Sequence, residues 1–197
     1  MQRLILVDPV EAMCDAWRAA FAPYAEVEIV NGWFEALPAY DCMVSAANSF
    51  GLMDGGVDRA ISAYFGPDLQ QRVQAHILAH YNGEQPVGTS FIVPTGHAQH
   101  PFLAHTPTMR VPASIAATDH VYLAMKAMLQ AVQDFNAQEP RISTVACPGL
   151  GTATGRMPYA EAARQMALAY AYYQNPPQQL DWPSAAQRHR RIIGSDE

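Results

Sequence analysis

Two short glycine-rich stretches constrain this chain more than any other feature. Half of its 12 glycines fall in the windows 51–56 and 149–155. Each window follows a β-rich apolar run and precedes a helical pattern. Strand, glycine loop, helix is the repeating unit of sheets whose strands run largely parallel, with helices packed on the faces. In such sheets, ligands bind outside the carboxyl ends of the strands. Both loops are therefore expected at one edge of a single sheet, as walls of one site.

The rest of the chain reads the same way. Residues 3–7 form a short β-rich run, and 26–30 alternate like a half-exposed strand. Asp8 is placed to cap a helix over 9–21, with Glu11 completing an Asp-x-x-Glu capping box. Further strands are expected at 41–46, 88–93, 102–106 and 142–147. Helical periodicity covers 57–65, 68–81, 113–135 and 158–173. After Asn175-Pro176-Pro177 the periodicity fails. The reading is an α/β domain over 1–174, a sandwich around a mixed or mostly parallel sheet, followed by a tail or docking arm over 175–197.

Composition removes several classes of function. Charged residues make up 15% of the 197, and hydrophobic ones 50%, the reverse of a disordered chain. The formal net charge is −6, which argues against coating an extended nucleic acid. No stretch approaches the ~20 apolar residues of a membrane span, and the short N-terminal apolar run lacks a signal-peptide ending. Cys14, Cys42 and Cys147 are odd in number and widely spaced, so no disulfide framework or thiolate metal site is expected. The expected setting is the cytoplasm, with no membrane partner.

Loop one runs from Ala47 and Asn48 through Gly55, Gly56, Val57 and Asp58. Adjacent glycines let backbone N–H groups approach a ligand closely, and the helix that follows adds a positive dipole end suited to phosphate. Asn48 carries both donors and an acceptor, as needed to grip a sugar diol. Asp58 is either a first-turn carboxylate favoured by the helix dipole or a working acid–base group. Loop two offers Gly149, Leu150, Gly151 and Thr152, but it lacks the lysine of a phosphate-binding P-loop. The two loops together point to a phosphate-bearing ligand.

Asn48, six residues, then Gly55-Gly56-Val57-Asp58 resembles the signature of the macrodomain family, the ADP-ribose-binding modules. Ser45-Ala46-Ala47 precedes it where a subgroup often has Asn-Ala-Ala. Pro148 to Thr152 resembles the family's second phosphate-gripping loop, and His105-Thr106-Pro107 a family strand. The resemblance covers about residues 26–173 and implies a three-layer α/β/α fold. It implies that ADP-ribose or a related nucleotide is the partner, with an ADP-ribosylated protein as one possible carrier. The diphosphate would be held by Gly55, Gly56 and Val57, and by Gly149 to Thr152. Asn48 would hold the distal ribose beside Ala47. Asp58 would orient or activate water to hydrolyse an ester on that ribose. No cofactor and no metal is implied.

One departure stands out. The family has Gly-Asp-Ile where this chain has Gly32-Trp33-Phe34, so the carboxylate that accepts from the adenine amine is replaced. Trp33 and Phe34 are either core aromatics or a stacking platform for the base. A binding module without turnover is the alternative to a hydrolase. His76 and His80 have a metal-compatible helical spacing without the glutamate of a zinc protease. Arg110 and Arg156 flank the loops and are suited to phosphate. Cys147 is a nucleophile by position, or a buried strand residue.

Overall fold

The computed structural model describes residues 1–194. Its elements in chain order are β1 (Arg3–Asp8), α1 (Glu11–Ala20), β2 (Val27–Asn31), β3 (Cys42–Asn48), α2 (Gly56–Phe65), α3 (Asp68–His80), β4 (Phe91–Pro94), β5 (Phe102–Met109), α4 (His120–Gln138), β6 (Thr144–Cys147), α5 (Tyr159–Gln174) and α6 (Trp182–Ile193). A single 3-10 turn, Phe34–Ala36, follows β2.

The strands form one sheet of order β2-β1-β6-β3-β5-β4. Every pairing is parallel except β4 with β5. The apolar strands bury both faces, because successive side chains point to opposite sides. Leu4 and Leu6 enter one core, while Ile5 and Val7 enter the other. The same split separates Cys42 and Val44 from Met43, and Ala104 from Leu103. Helices α1, α4 and α5 cover the first face through Met13, Trp17, Met125 and Met166. Helices α2 and α3 cover the second through Ile61, Leu69, Val73 and Ile77. The architecture is the expected three-layer α/β/α sandwich around a mixed sheet.

Three local expectations are corrected. Asp8 does not cap α1: the helix starts at Glu11 behind Val10, with no side-chain cap. The long helix begins at His120 rather than 113, because Ile115 is buried beneath loop two and its N–H donates to the Gly155 carbonyl at 2.8 Å. Residues 182–193 form a helix within the segment where the periodicity fails. Asp181 accepts from the Ser184 N–H at 2.8 Å to start it, and Gly194 ends it in a left-handed conformation. It is tied to the domain by Arg188, whose Nη2 donates to the Tyr122 hydroxyl at 3.0 Å and whose guanidinium lies over Tyr172. The final residues of the tail, 195–197, lie outside the described residues. Among the described residues, no helix is long and apolar enough to cross a membrane.

Candidate functional site

Where the parallel strands end, the loops that follow them enclose a cleft of about 380 Å³. It crosses the sheet edge from the end of β2, past β1, β6 and β3, to the end of β5. Four inter-strand steps of roughly 4.8 Å each give a length near 19 Å.

At the β2 end stands Trp33, 64% exposed, followed in the chain by Phe34, which is 5% exposed. Both line the cleft. Phe34 meets Tyr64 edge-on at 5.6 Å, so it serves the core as well as the wall. Asp8 ends β1 beside them. One carboxylate oxygen accepts from the Val10 N–H at 2.9 Å, the other from the Gly149 N–H at 3.2 Å. Burial raises the Asp8 pKa, against the pull of those two donors. The Gly149 N–H is thus engaged by a carboxylate of the protein itself.

Loops one and two form the middle. Gly55 precedes α2 in an extended conformation, and no side chain caps the helix. Gly55, Gly56 and Val57 line the cleft, at the helix end where first-turn N–H groups lack intrahelical partners. Loop two is held from behind. Gly151 has φ +69°, and a Cβ there would meet Ile115 Cδ1 at 2.6 Å. A Cβ at Gly155 would lie 2.4 Å from the Gly151 carbonyl oxygen. Thr152 lines the cleft, whereas Leu150, expected there as a ligand-binding residue, is buried in the core and is not on the lining. Arg156, next in the chain, has a left-handed backbone with φ 53°.

At the β3 end, Ser45 donates to Oδ1 of Asp58 at 2.6 Å. Ser45 is buried and Asp58 is 5% exposed, at the first turn of α2. Burial pushes the Asp58 pKa up to about 7, with the Ser45 bond acting in the opposite direction. Asp58 is therefore poised between acid and base near neutrality. Asn48 and Ala47 line the same end. The register between β3 and β5 shifts between Ala47 and Asn48, an irregularity that re-aims the strand end. Asn48 Nδ2 donates to the Leu52 carbonyl at 2.7 Å, and Oδ1 accepts from the N–H groups of Phe50 (3.0 Å) and Leu52 (3.3 Å). Its amide shapes loop one and retains one N–H for a ligand.

Two residues at this cleft have no site role in the sequence reading. Ser45 is part of the family-like motif, but its signal is subtler: a hydroxyl at a fully buried strand position, on the face shared with Met43. Asp8 reads as a helix cap and is instead a cleft carboxylate. The other candidates fall away from the cleft. Arg110 pairs with Glu84 at 2.6 Å. His76 and His80 stack ring on ring at 4.1 Å, and His80 Nδ1 bonds the His76 carbonyl. Cys147 is buried in the core, where burial pushes its thiol pKa far up. Among the described residues, no group of three His, Cys, Asp or Glu side chains converges as a metal site would.

The sequence matches the family model described as Macro domain over residues 44–166. The chain belongs to the Macro domain family. An uncharacterized protein of Aquifex aeolicus (strain VF5) is 31% identical over 141 residues, covering 72% of this chain and 78% of the relative. A variant of the Oceanobacillus iheyensis macrodomain solved with ADPR superposes with a TM-score of 0.61 at 21% identity, covering 82% of this chain and 88% of that one. The macrodomain of Mycobacterium tuberculosis DarG gives 0.56 at 23% identity, covering 74% and 88%. These likenesses show a shared fold. In this macro domain, one wall of the cleft, from Val7 to Val10 and Gly32 to Phe34, lies before the matched span.

Proposed function

We propose that this macro domain binds ADP-ribose, or a related nucleotide, along the cleft and hydrolyses esters on its distal ribose. The observation that carries the reading is the buried Ser45–Asp58 pair opening beside Asn48. Three features support the ligand. The cleft is roughly 19 Å long, enough for a base, two riboses and a diphosphate in line. Its middle is built of uncapped helix N–H groups and glycine backbone, which suits a diphosphate. Its far end offers an exposed indole for stacking a base. The O. iheyensis structures solved with ADPR and with ADP add support from the shared fold.

The chemistry is hydrolysis of a carboxyl ester, as in O-acetyl-ADP-ribose or an ADP-ribosylated Asp or Glu. Charged Asp58 takes a proton from water as its oxygen attacks the ester carbonyl carbon. The C–O bond to the ribose then breaks, and the ribose oxygen receives a proton. The products are a carboxylic acid and the free ribose hydroxyl. A base so placed is worth roughly 10²–10⁴-fold. Ser45 holds the carboxylate in the orientation this requires.

The test is release of ADP-ribose or acid from such esters by the parent and by Asp58→Ala. Turnover by the parent and its loss in the variant support the reading. Tight ADP-ribose binding without turnover overturns the hydrolase and favours a second reading, a binding module. That reading has its own support: the Asn48 amide is already bonded three times within loop one.

A further inference from the structure

We infer that the Asp8 carboxylate accepts from the 2′ and 3′ hydroxyls of the proximal ribose, the one joined to the base. It thereby restricts the cleft to ligands whose proximal 2′ position carries a free hydroxyl. This deepens the reading above and rests on it. The order of the strands places the contact. β1 lies between β2 and β6 in the sheet. The cleft wall runs from Trp33 after β2, through Asp8 at the end of β1, to Gly149 after β6. Each step across the sheet is about 4.8 Å. When the base lies on Trp33 and the diphosphate between the glycine loops, the group between them is the proximal ribose.

Asp8 is tied to both neighbours. Its backbone is fixed to the base end: Asp8 pairs in register with Asn31, and its carbonyl accepts from the Gly32 N–H at 3.0 Å. Trp33 is the next residue in the chain. Its side chain is fixed by one donor on each oxygen. The Val10 N–H donates to Oδ1 at 2.9 Å, and the Gly149 N–H to Oδ2 at 3.2 Å. An ionised carboxylate offers about four acceptor positions on its two oxygens. One position on each oxygen is therefore left for a ligand, on a residue that is only half-buried. Two such acceptors side by side match the two adjacent hydroxyls of a ribose. The bond to Gly149 also holds loop two against β1, so the carboxylate that reads the sugar sets its distance from the diphosphate.

A phosphate on the 2′ oxygen reverses these contacts. The hydroxyl proton is lost, and a negative group is brought against a carboxylate. Among the described residues lining the cleft there is no lysine, arginine or histidine to offset it. In dinucleotide-binding α/β folds an acidic side chain takes the ribose 2′ hydroxyl, whereas a nearby arginine accommodates a 2′-phosphate. Asp8 supplies the first arrangement on a different fold, and the cleft wall lacks the second. The favoured ligands therefore carry an unsubstituted ADP moiety, as those derived from NAD do. Ligands phosphorylated at the proximal 2′ position, as those derived from NADP are, are rejected.

Calorimetry tests this without needing turnover. The probes are ADP-ribose, its proximal 2′-deoxy and 2′-phosphate forms, and its hypoxanthine counterpart. The parent is expected to bind the 2′-deoxy form about ten- to a hundredfold more weakly than ADP-ribose, as for a lost hydrogen bond to a charged group. The 2′-phosphate is expected to bind more weakly still. In Asp8→Asn, and independently in Asp8→Ala, the penalty for the 2′-phosphate is expected to shrink about tenfold or more, because the like charge is gone. Reading ratios cancels any general loss of affinity, and the parent's own series stands even where a variant fails to fold. Tight ADP-ribose binding with an equal affinity for the 2′-deoxy form overturns the inference alone, even if the phosphate is rejected, since crowding would suffice for that. So do penalties that persist unchanged in both variants. A flat 2′ series with an Asp8-dependent preference for adenine over hypoxanthine also overturns it and assigns the carboxylate to the base. Failure of ADP-ribose itself to bind overturns the ligand reading and this inference together.

Discussion

The Ser45 hydroxyl donates to Asp58 across 2.6 Å, and both residues are buried against the sheet. Burial opposes the charge on Asp58, while the hydroxyl favours it. The balance leaves the carboxyl at about 7.

Turnover should therefore follow the charged form of Asp58. Ester hydrolysis is expected to rise roughly tenfold per pH unit below 7 and to level above it. Ser45→Ala removes the donor that favours the carboxylate, so its midpoint moves to higher pH. A pH–rate profile of both proteins checks this, and an unmoved midpoint counts against the pair.

The same carboxyl makes stability depend on pH. Its folded pKa, about 7, lies above an unfolded value near 3.9. Between these values the unfolded chain is charged while the folded one keeps its proton. Stability present below pH 4 is therefore lost as pH rises to 7. Asp58→Asn lacks this loss, so its melting temperature should gain on the parent from pH 4 to pH 8.

His105 works in the opposite sense. It is fully buried, with Nδ1 bonded to Gln85 Oε1 at 2.6 Å, and burial lowers its pKa to about 3. The unfolded chain takes up that proton near 6.5. Stability is then lost as pH falls from 6.5 toward 3. His105→Gln should flatten the acid side of the melting curve relative to the parent.

Two glycines at the cleft should respond differently to a methyl group. Gly155→Ala places Cβ against the Gly151 carbonyl, which should cost about 1–3 kcal/mol. Gly55→Ala meets nothing within 4 Å, so stability should change by less than about 0.5 kcal/mol. The new methyl nonetheless sits where the diphosphate is proposed, and ADP-ribose affinity should fall about tenfold, or roughly 1.4 kcal/mol. Melting curves and calorimetry separate the two effects.

Trp33 and Phe34 offer a similar contrast. Trp33→Ala removes a mostly exposed ring. It should leave stability within about 0.5 kcal/mol while weakening ligand binding by ~1–3 kcal/mol. Phe34→Ala opens a cavity beside Tyr64 and should cost about 3–5 kcal/mol of stability.

Most of the scaffold was legible because it obeys short-range rules. The apolar runs at β1, β3 and β6 read as strands, and α2 and α5 begin within one residue of expectation. What escaped depends on contacts distant in sequence or on none at all. Asp8 looks like a cap until the sheet brings Gly149 to it, 141 residues away. Ile115 follows helical spacing but is drawn under loop two by Gly155. Helix α6 has no buried residue, so no apolar stripe announces it. Its ends are set by capping and its position by Arg188 together with Arg164, which donates to the Arg191 and Ile192 carbonyls. At the site, the glycine loops, Asn48 and Asp58 were visible as a motif. The role of Ser45 was not, because a buried hydroxyl in an apolar strand acquires meaning only from its partner across the fold.

The position of β1 has a consequence for biosynthesis. Arg3 pairs with Thr144 and Leu6 with Cys147, so the first strand of the chain needs the sixth to close the middle of the sheet. During translation at about 5–20 residues per second, β1 waits on the order of ten seconds for that partner. For that interval an apolar strand with an open edge is exposed on the ribosome, where it can pair wrongly or be held by a chaperone. The cleft, whose walls come from both β1 and the loop after β6, forms only after β6 has been made.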